Sequence, residues 1–194
     1  MDKIIILIVG EEKTGKTTVI NHVWDLLPTF SKKRQLLNHK IQEILGVVDS
    51  CSKTRRGIDR PLKIGVSSWG DTPELIQMGI IYLVNENCDI TICASHTIEQ
   101  FLEAIHTLSE YPIDEDMKKK GISEEMLPDI QNKIENYRIV TFSPFTNYIE
   151  SSKRKAIPSC SKKELYNNSH VEDINISRLS AATIVTLVDN LNAN

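Results

Sequence analysis

Long apolar runs are missing from this chain. The one near the start, Ile4 to Val9, is too short to cross a membrane, and it leads into a glycine motif instead of a signal-cleavage pattern. Cysteine is sparse. The four thiols, Cys51, Cys88, Cys93 and Cys160, form no CxxC pair and no metal-ligand spacing with the five histidines. That spacing gives no basis for a disulfide framework or a zinc site, and it fits free thiols in a reducing compartment. There is also no excess of positive charge: 23 Lys and Arg stand against 26 Asp and Glu, for a formal net charge of -3. A general nucleic-acid-binding role gains no support from that balance, nor from an aromatic content of 6% without an aromatic–basic stacking pattern. A cytoplasmic protein with no membrane partner and no nucleic-acid partner is the expectation.

What is present is an ordinary globular composition. With 194 residues, 40% hydrophobic and 25% charged, the chain is long enough to bury a sizeable core, and residues 1–194 read as one domain. Ile4–Val9 is a continuous β-branched run of the kind buried on both faces of a parallel sheet. From Lys16 to Leu27 the apolar residues Val19, Ile20, Val23, Leu26 and Leu27 recur at helical spacing, and Pro28 ends the pattern. Ile41–Val48 and Leu62–Ser67 read as strands of a hairpin joined by the polar, basic stretch Ser50–Arg60. Asp71-Thr72-Pro73-Glu74 opens a helix running to about Asn85, with Asp71 as its expected cap, and Thr97-Ile98-Glu99-Gln100 forms a second capping box after the short strand Ile90–Ala94. Ser123–Asn136 reads as a helix, Tyr137–Phe142 as a strand and Ser177–Leu191 as a closing amphipathic helix. Lys118–Gly121 and Glu150–Ser169 read as polar, mobile stretches. Such alternation predicts an α/β domain: a doubly wound, mostly parallel sheet with helices on both faces and one antiparallel hairpin strand.

Between the first strand and the first helix lies Gly10-Glu11-Glu12-Lys13-Thr14-Gly15-Lys16-Thr17, a match to G-x-x-x-x-G-K-[ST]. Gly10 lets the chain leave the strand sharply, and Gly15 lets main chain approach an anion without a Cβ. Amides from Lys13 to Thr17 are expected to converge at a helix N-terminus, a setting that favours negative charge. Lys16 is placed to reach β- and γ-phosphates, Thr17 to ligate Mg²⁺ through its hydroxyl, and Thr18 to add a contact to the α-phosphate. A random chain of this length shows the pattern under about 1% of the time at ordinary residue frequencies, and the flanking strand and helix lower that further. Through Gly10, Gly15, Lys16 and Thr17 the sequence resembles the P-loop NTPase superfamily in its Walker A motif. The resemblance covers about the first 30 residues and implies that superfamily's fold and a bound nucleoside triphosphate with Mg²⁺.

Magnesium in such sites takes a carboxylate from a neighbouring strand end. Ligands of open parallel sheets lie beyond the carboxyl ends of the strands, so the acid must follow a strand. Asp89 precedes its strand, and Asp49 closes a strand expected to run the opposite way. Asp71, after Leu62–Ser67 and the short loop Ser68-Trp69-Gly70, is on the correct side. It is therefore assigned with Lys16 to the chemistry and with Thr17 to the metal; its alternative is simply to cap the next helix. Ser67 and Ser68 occupy the place where the superfamily's strand-end aspartate is expected.

The order of elements resembles small GTPases and small kinases. That resemblance implies that Thr29–Lys40 rises as a linker towards the nucleotide, carrying Asn38, His39 and Lys40 to the phosphates; a solvated basic linker around Lys32, Lys33 and Arg34 is the plainer description. Trp69-Gly70-Asp71-Thr72 departs from the GTPase Asp-x-x-Gly, and Asn132-Lys133-Ile134-Glu135, the nearest approach to a guanine-reading motif, falls in an expected helix. ATP is thus favoured over GTP. His96, after a buried strand, faces the site as a phosphate or substrate contact, or else as a polar loop residue. Lys153, Arg154 and Lys155 read as a phosphate-closing lid or as a surface loop, and Lys53, Arg55, Arg56 and Arg60 as a solvated turn remote from the site. The functional expectation is phosphoryl transfer or NTP hydrolysis, kinase-like, with a small-molecule acceptor as a further partner. The alternative is a non-catalytic switch in which nucleotide orders the 29–40 stretch.

Overall fold

The computed structural model describes residues 3–12, 14–27, 34–40, 43–53, 59–142 and 181–188. Six strands form one sheet: β1 (Ile4–Val9), β2 (Arg34–Lys40), β3 (Glu43–Lys53), β4 (Asp59–Ser67), β5 (Ile90–Ser95) and β6 (Arg138–Phe142), in the spatial order β2-β3-β4-β5-β1-β6. β4, β5, β1 and β6 are parallel neighbours, whereas β3 pairs antiparallel with both β2 and β4. Only β3 runs against the rest, so this is the mostly parallel sheet with one antiparallel hairpin strand that the sequence predicts.

Alternation along β1 builds the layers. Ile5 and Leu7 join a core under α2 (Pro73–Asn85), α3 (Ile98–His106) and α5 (Leu127–Glu135), while Ile4, Ile6 and Ile8 join the opposite core under α1 (Lys16–Leu26) and the helix at 181–188. Helices therefore cover both faces. Because β4, β5, β1 and β6 share a direction, Ser67, Ser95, Val9 and Phe142 end at the same edge of the sheet. This is the edge where open α/β sheets place their ligands.

Three readings of the sequence change. The expected linker contains β2, whose residues Arg34–Lys40 pair with β3 and form the outer edge of the sheet. β2 lies four strand spacings from β1, roughly 19 Å, so the backbone of Asn38, His39 and Lys40 is remote from the glycine loop. Hairpin arms β3 and β4 extend to Lys53 and Asp59, which pair at the end opposite Ser67. Lys53 and Arg60 thus belong to the far end as expected, while Arg55 and Arg56 lie outside the described residues, as do Lys13, Lys32, Lys33 and Lys153–Lys155. Finally, Lys118 and Lys119 close a short helix, α4 (Glu115–Lys119), instead of a mobile stretch. Asp114 caps it by accepting from the Met117 amide at 2.7 Å, and Met117 itself is buried. Ser123–Asn136 resolves into one 3₁₀ turn followed by α5, and Asn132–Glu135 lies within that helix, before β6.

Candidate functional site

Gly15 is the N-cap of α1, with φ 81° and ψ 17°. That left-handed conformation is the one glycine adopts without a Cβ penalty. Gly10 is fixed by space instead: a Cβ there would lie 2.7 Å from Thr14 Oγ1. The Thr14 hydroxyl donates to the Glu11 carbonyl at 2.7 Å, and the Gly10 amide donates to the Ser95 carbonyl at 3.2 Å, which tethers the loop to the end of β5. The first bond within α1 runs from the Val19 amide to the Gly15 carbonyl. Amides of Lys16, Thr17 and Thr18 therefore have no helical carbonyl behind them and form the positive end of the helix. Thr17 is half-buried and Thr18 exposed.

Lys16 is the unusual residue. Only 5% of its surface is exposed, and its Nζ donates at 2.8 Å to each of the Gly10 and Glu11 carbonyls. Nδ1 of His96 stands 3.4 Å from the same nitrogen. An ammonium has three donors and no acceptor, so a hydrogen bond between the two runs from Nζ to Nδ1. Burial pulls the Lys16 pKa below the ordinary lysine range, opposed by the charges of Asp71 and Glu12.

Asp71 does not cap α2. Thr72 is the N-cap, and its hydroxyl accepts from the Leu75 amide at 3.3 Å. Asp71 stands one residue outside the helix, with its side chain 68% exposed and Oδ1 3.7 Å from His96 Nε2. Its strand is also not the neighbour of β1, because β5 lies between them. Gly70 closes that gap. A Cβ at 70 would come within 2.5 Å of the Ala94 carbonyl carbon and oxygen, so the β4–α2 connection lies directly on the end of β5. Ser67 and Ser68 are committed elsewhere. Ser67 Oγ accepts from the Trp69 amide at 3.3 Å, and Ser68 Oγ accepts from the Ile44 amide at 2.8 Å.

Lys16, His96 and Asp71 thus line up across three connections at the carboxyl edge of the sheet, beside the amides of α1. Asp89 sits at the opposite end, where its carboxylate accepts from the Lys63 amide, and Asp49 pairs with Lys63 in mid-strand. Gln100, read from sequence only as part of a capping box, also belongs here: Oε1 accepts from the His96 amide at 2.9 Å. Such an arrangement can hold a polyanion with one ammonium and helix-end amides, place a carboxylate nearby, and offer an imidazole as acceptor or donor.

No family model matches the chain, and no curated protein or solved structure matches it either.

Proposed function

We propose that this chain is a P-loop protein that binds a nucleoside triphosphate with Mg²⁺, ATP in preference to GTP, and transfers or hydrolyses the γ-phosphoryl group. The observation that carries the reading is the buried Lys16 ammonium at the head of α1, held between the loop carbonyls and His96. A cation kept in a desolvated place gains most from a bound anion. A triphosphate entering there draws Nζ off the carbonyls onto its β- and γ-oxygens, with the α1 amides as further donors.

The residues fit a magnesium nucleotide. Among the described residues no three His, Cys, Asp or Glu side chains gather as a metal-ligand group. Thr17 and the exposed Asp71 carboxylate would hold the ion, with nucleotide oxygens and water as its remaining ligands. Mg²⁺, when bound, neutralises charge on the phosphoryl group. His96, with Nδ1 directed at Lys16 and Nε2 towards Asp71, offers an imidazole within reach of both the ammonium and the acid. Adenine is favoured because the nearest guanine-reading motif lies inside α5 and not after a strand.

Calorimetric titration with ATP, GTP and their diphosphates, with and without Mg²⁺, tests the reading, with Lys16→Ala as control. Triphosphate affinity that depends on Lys16, together with turnover that Lys16→Ala removes, is the expected result. Failure to bind either triphosphate defeats the proposal, and tight binding without turnover leaves only a non-catalytic nucleotide module.

A further inference from the structure

We infer that Gln100 is a positioning residue of this site, its amide fixing where His96 and Asp71 stand around Lys16. The inference rests on the reading of Gly10–Thr17 as a phosphate loop and deepens it. Gln100 uses both halves of its amide. Oε1 accepts from the His96 main-chain amide at 2.9 Å and lies 3.1 Å from the Ser95 hydroxyl, while Nε2 donates to the Asp71 carbonyl at 3.2 Å. One side chain therefore joins the connection after β5 to the connection after β4.

The link continues to the loop itself. Ser95 is fully buried, and its carbonyl accepts from the Gly10 amide. The Ser95 carbonyl and the His96 amide belong to one peptide group, so hydrogen bonds run from the Gly10 amide through that peptide and the Gln100 side chain to the main-chain carbonyl of Asp71, while the Ser95 hydroxyl donates to the Thr97 carbonyl at 2.7 Å. A capping role alone does not need this. The capping function of the turn is met by Thr97, whose hydroxyl accepts from the Gln100 amide at 3.0 Å. In an ordinary capping box the Gln side chain returns to the amide of the cap residue; here it reaches one residue further, to His96, and then across to another strand's connection.

Chemistry makes the residue type restrictive. Glu at 100 keeps acceptors but turns one of them onto the Asp71 carbonyl, and Ala removes both bonds. At the far end of the same helix, Gln77 fastens α2 to α3 by donating to the Ala104 carbonyl at 2.9 Å and the Thr107 hydroxyl at 2.8 Å. Gln77 is thus a natural control: it joins α2 to α3 by side-chain hydrogen bonds away from the site.

The test compares the wild type with Gln100→Ala, Gln100→Glu, Asp71→Asn and Gln77→Ala. Calorimetric ATP affinity is measured with and without Mg²⁺, and amide hydrogen exchange is measured without nucleotide. Expected for both Gln100 variants is a metal-free affinity within about twofold of wild type, with the strengthening by Mg²⁺ reduced roughly 3- to 10-fold, the scale of one hydrogen bond. Asp71→Asn should reduce the strengthening at least as much, and the His96 amide should exchange faster in Gln100→Ala. Gln77→Ala should lower the melting temperature and leave the Mg²⁺ ratio alone. An unchanged ratio and unchanged His96 exchange in both Gln100 variants would overturn the inference, as would an equal loss in Gln77→Ala. If the wild type itself binds no triphosphate, the functional reading has failed; a failure confined to the Gln100 variants removes only the positioning role.

Discussion

Asp71 Oδ1 stands 3.7 Å from His96 Nε2, although the two residues follow different strands. The proximity comes from two local facts. Thr72, not Asp71, caps α2, which leaves the Asp71 carboxylate outside the helix. Gly70 lets that connection rest on the main chain of Ala94, one residue before the β5 end. Asp71 therefore reaches the imidazole that follows the intervening strand β5, beside Lys16.

Separate roles for neighbouring residues should show in stability. Thr72→Ala is expected to lower unfolding free energy by about 1 kcal/mol, the usual loss of a helix cap. Asp71→Ala should stay within about 0.5 kcal/mol of wild type, as for an exposed residue. Urea denaturation of the two variants measures this; a larger loss for Asp71→Ala would return the cap to Asp71.

Binding should carry the signature of a desolvated lysine. Lys16→Ala is expected to weaken triphosphate binding by about 1.5–3 kcal/mol or more, the range for hydrogen bonds to charged groups. Burial lowers the Lys16 pKa, and a polyanion favours the protonated form. Affinity should therefore fall as pH rises through the lowered value, earlier than an ordinary lysine would dictate. Titrations across the alkaline range, with circular dichroism to verify folding, provide the measurement.

Two glycines are predicted to resist substitution for different reasons. Gly70→Ala sets a methyl 2.5 Å from main-chain atoms of Ala94, which cannot turn aside as a side chain can. A loss of about 1–3 kcal/mol is expected from the overpacking. Gly15→Ala meets its penalty in the backbone, at φ 81°, where a Cβ costs about 1–2 kcal/mol. Equilibrium unfolding tests both, and wild-type stability in Gly70→Ala would contradict the close approach.

The buried thiols set an alkaline limit. Burial pushes Cys88 up to about 12, from an ordinary value of 9.0, and also raises Cys93. Between these values the unfolded chain has released protons that the folded chain retains, so stability is fully present below 9.0 and falls as pH rises towards about 12. Native Cys88 and Cys93 should also resist thiol reagents at neutral pH, because the nucleophile is the thiolate. Mass spectrometry of labelled protein before and after denaturation checks this, and rapid labelling of either native thiol would count against it.

Legibility followed the range of the interactions involved. β1, the glycine loop and α1 are contiguous, and their β-branched run, fixed glycines and helical spacing are local signals that the structure follows closely. Thr97 and Gln100 were readable as a capping box, but the side chain's second function depends on Asp71, 29 residues away. β2 gave no usable pattern, since its strand state is imposed by hydrogen bonds from β3 and not by its own alternation.

By itself, then, the sequence determined the layered α/β class, the Gly10–Thr17 loop and the Thr97 cap, because each rests on neighbours within a turn or a strand, though not that Thr72 instead of Asp71 caps α2. Tertiary structure alone decided that β5 lies between β1 and β4, that Arg34–Lys40 forms the sheet edge, and that His96 stands in contact range of both Lys16 and Asp71, three residues the sequence had only assigned to one edge. Strand order and the crossing at Gly70 are contacts between segments far apart in the chain, and local propensity carries no information about them.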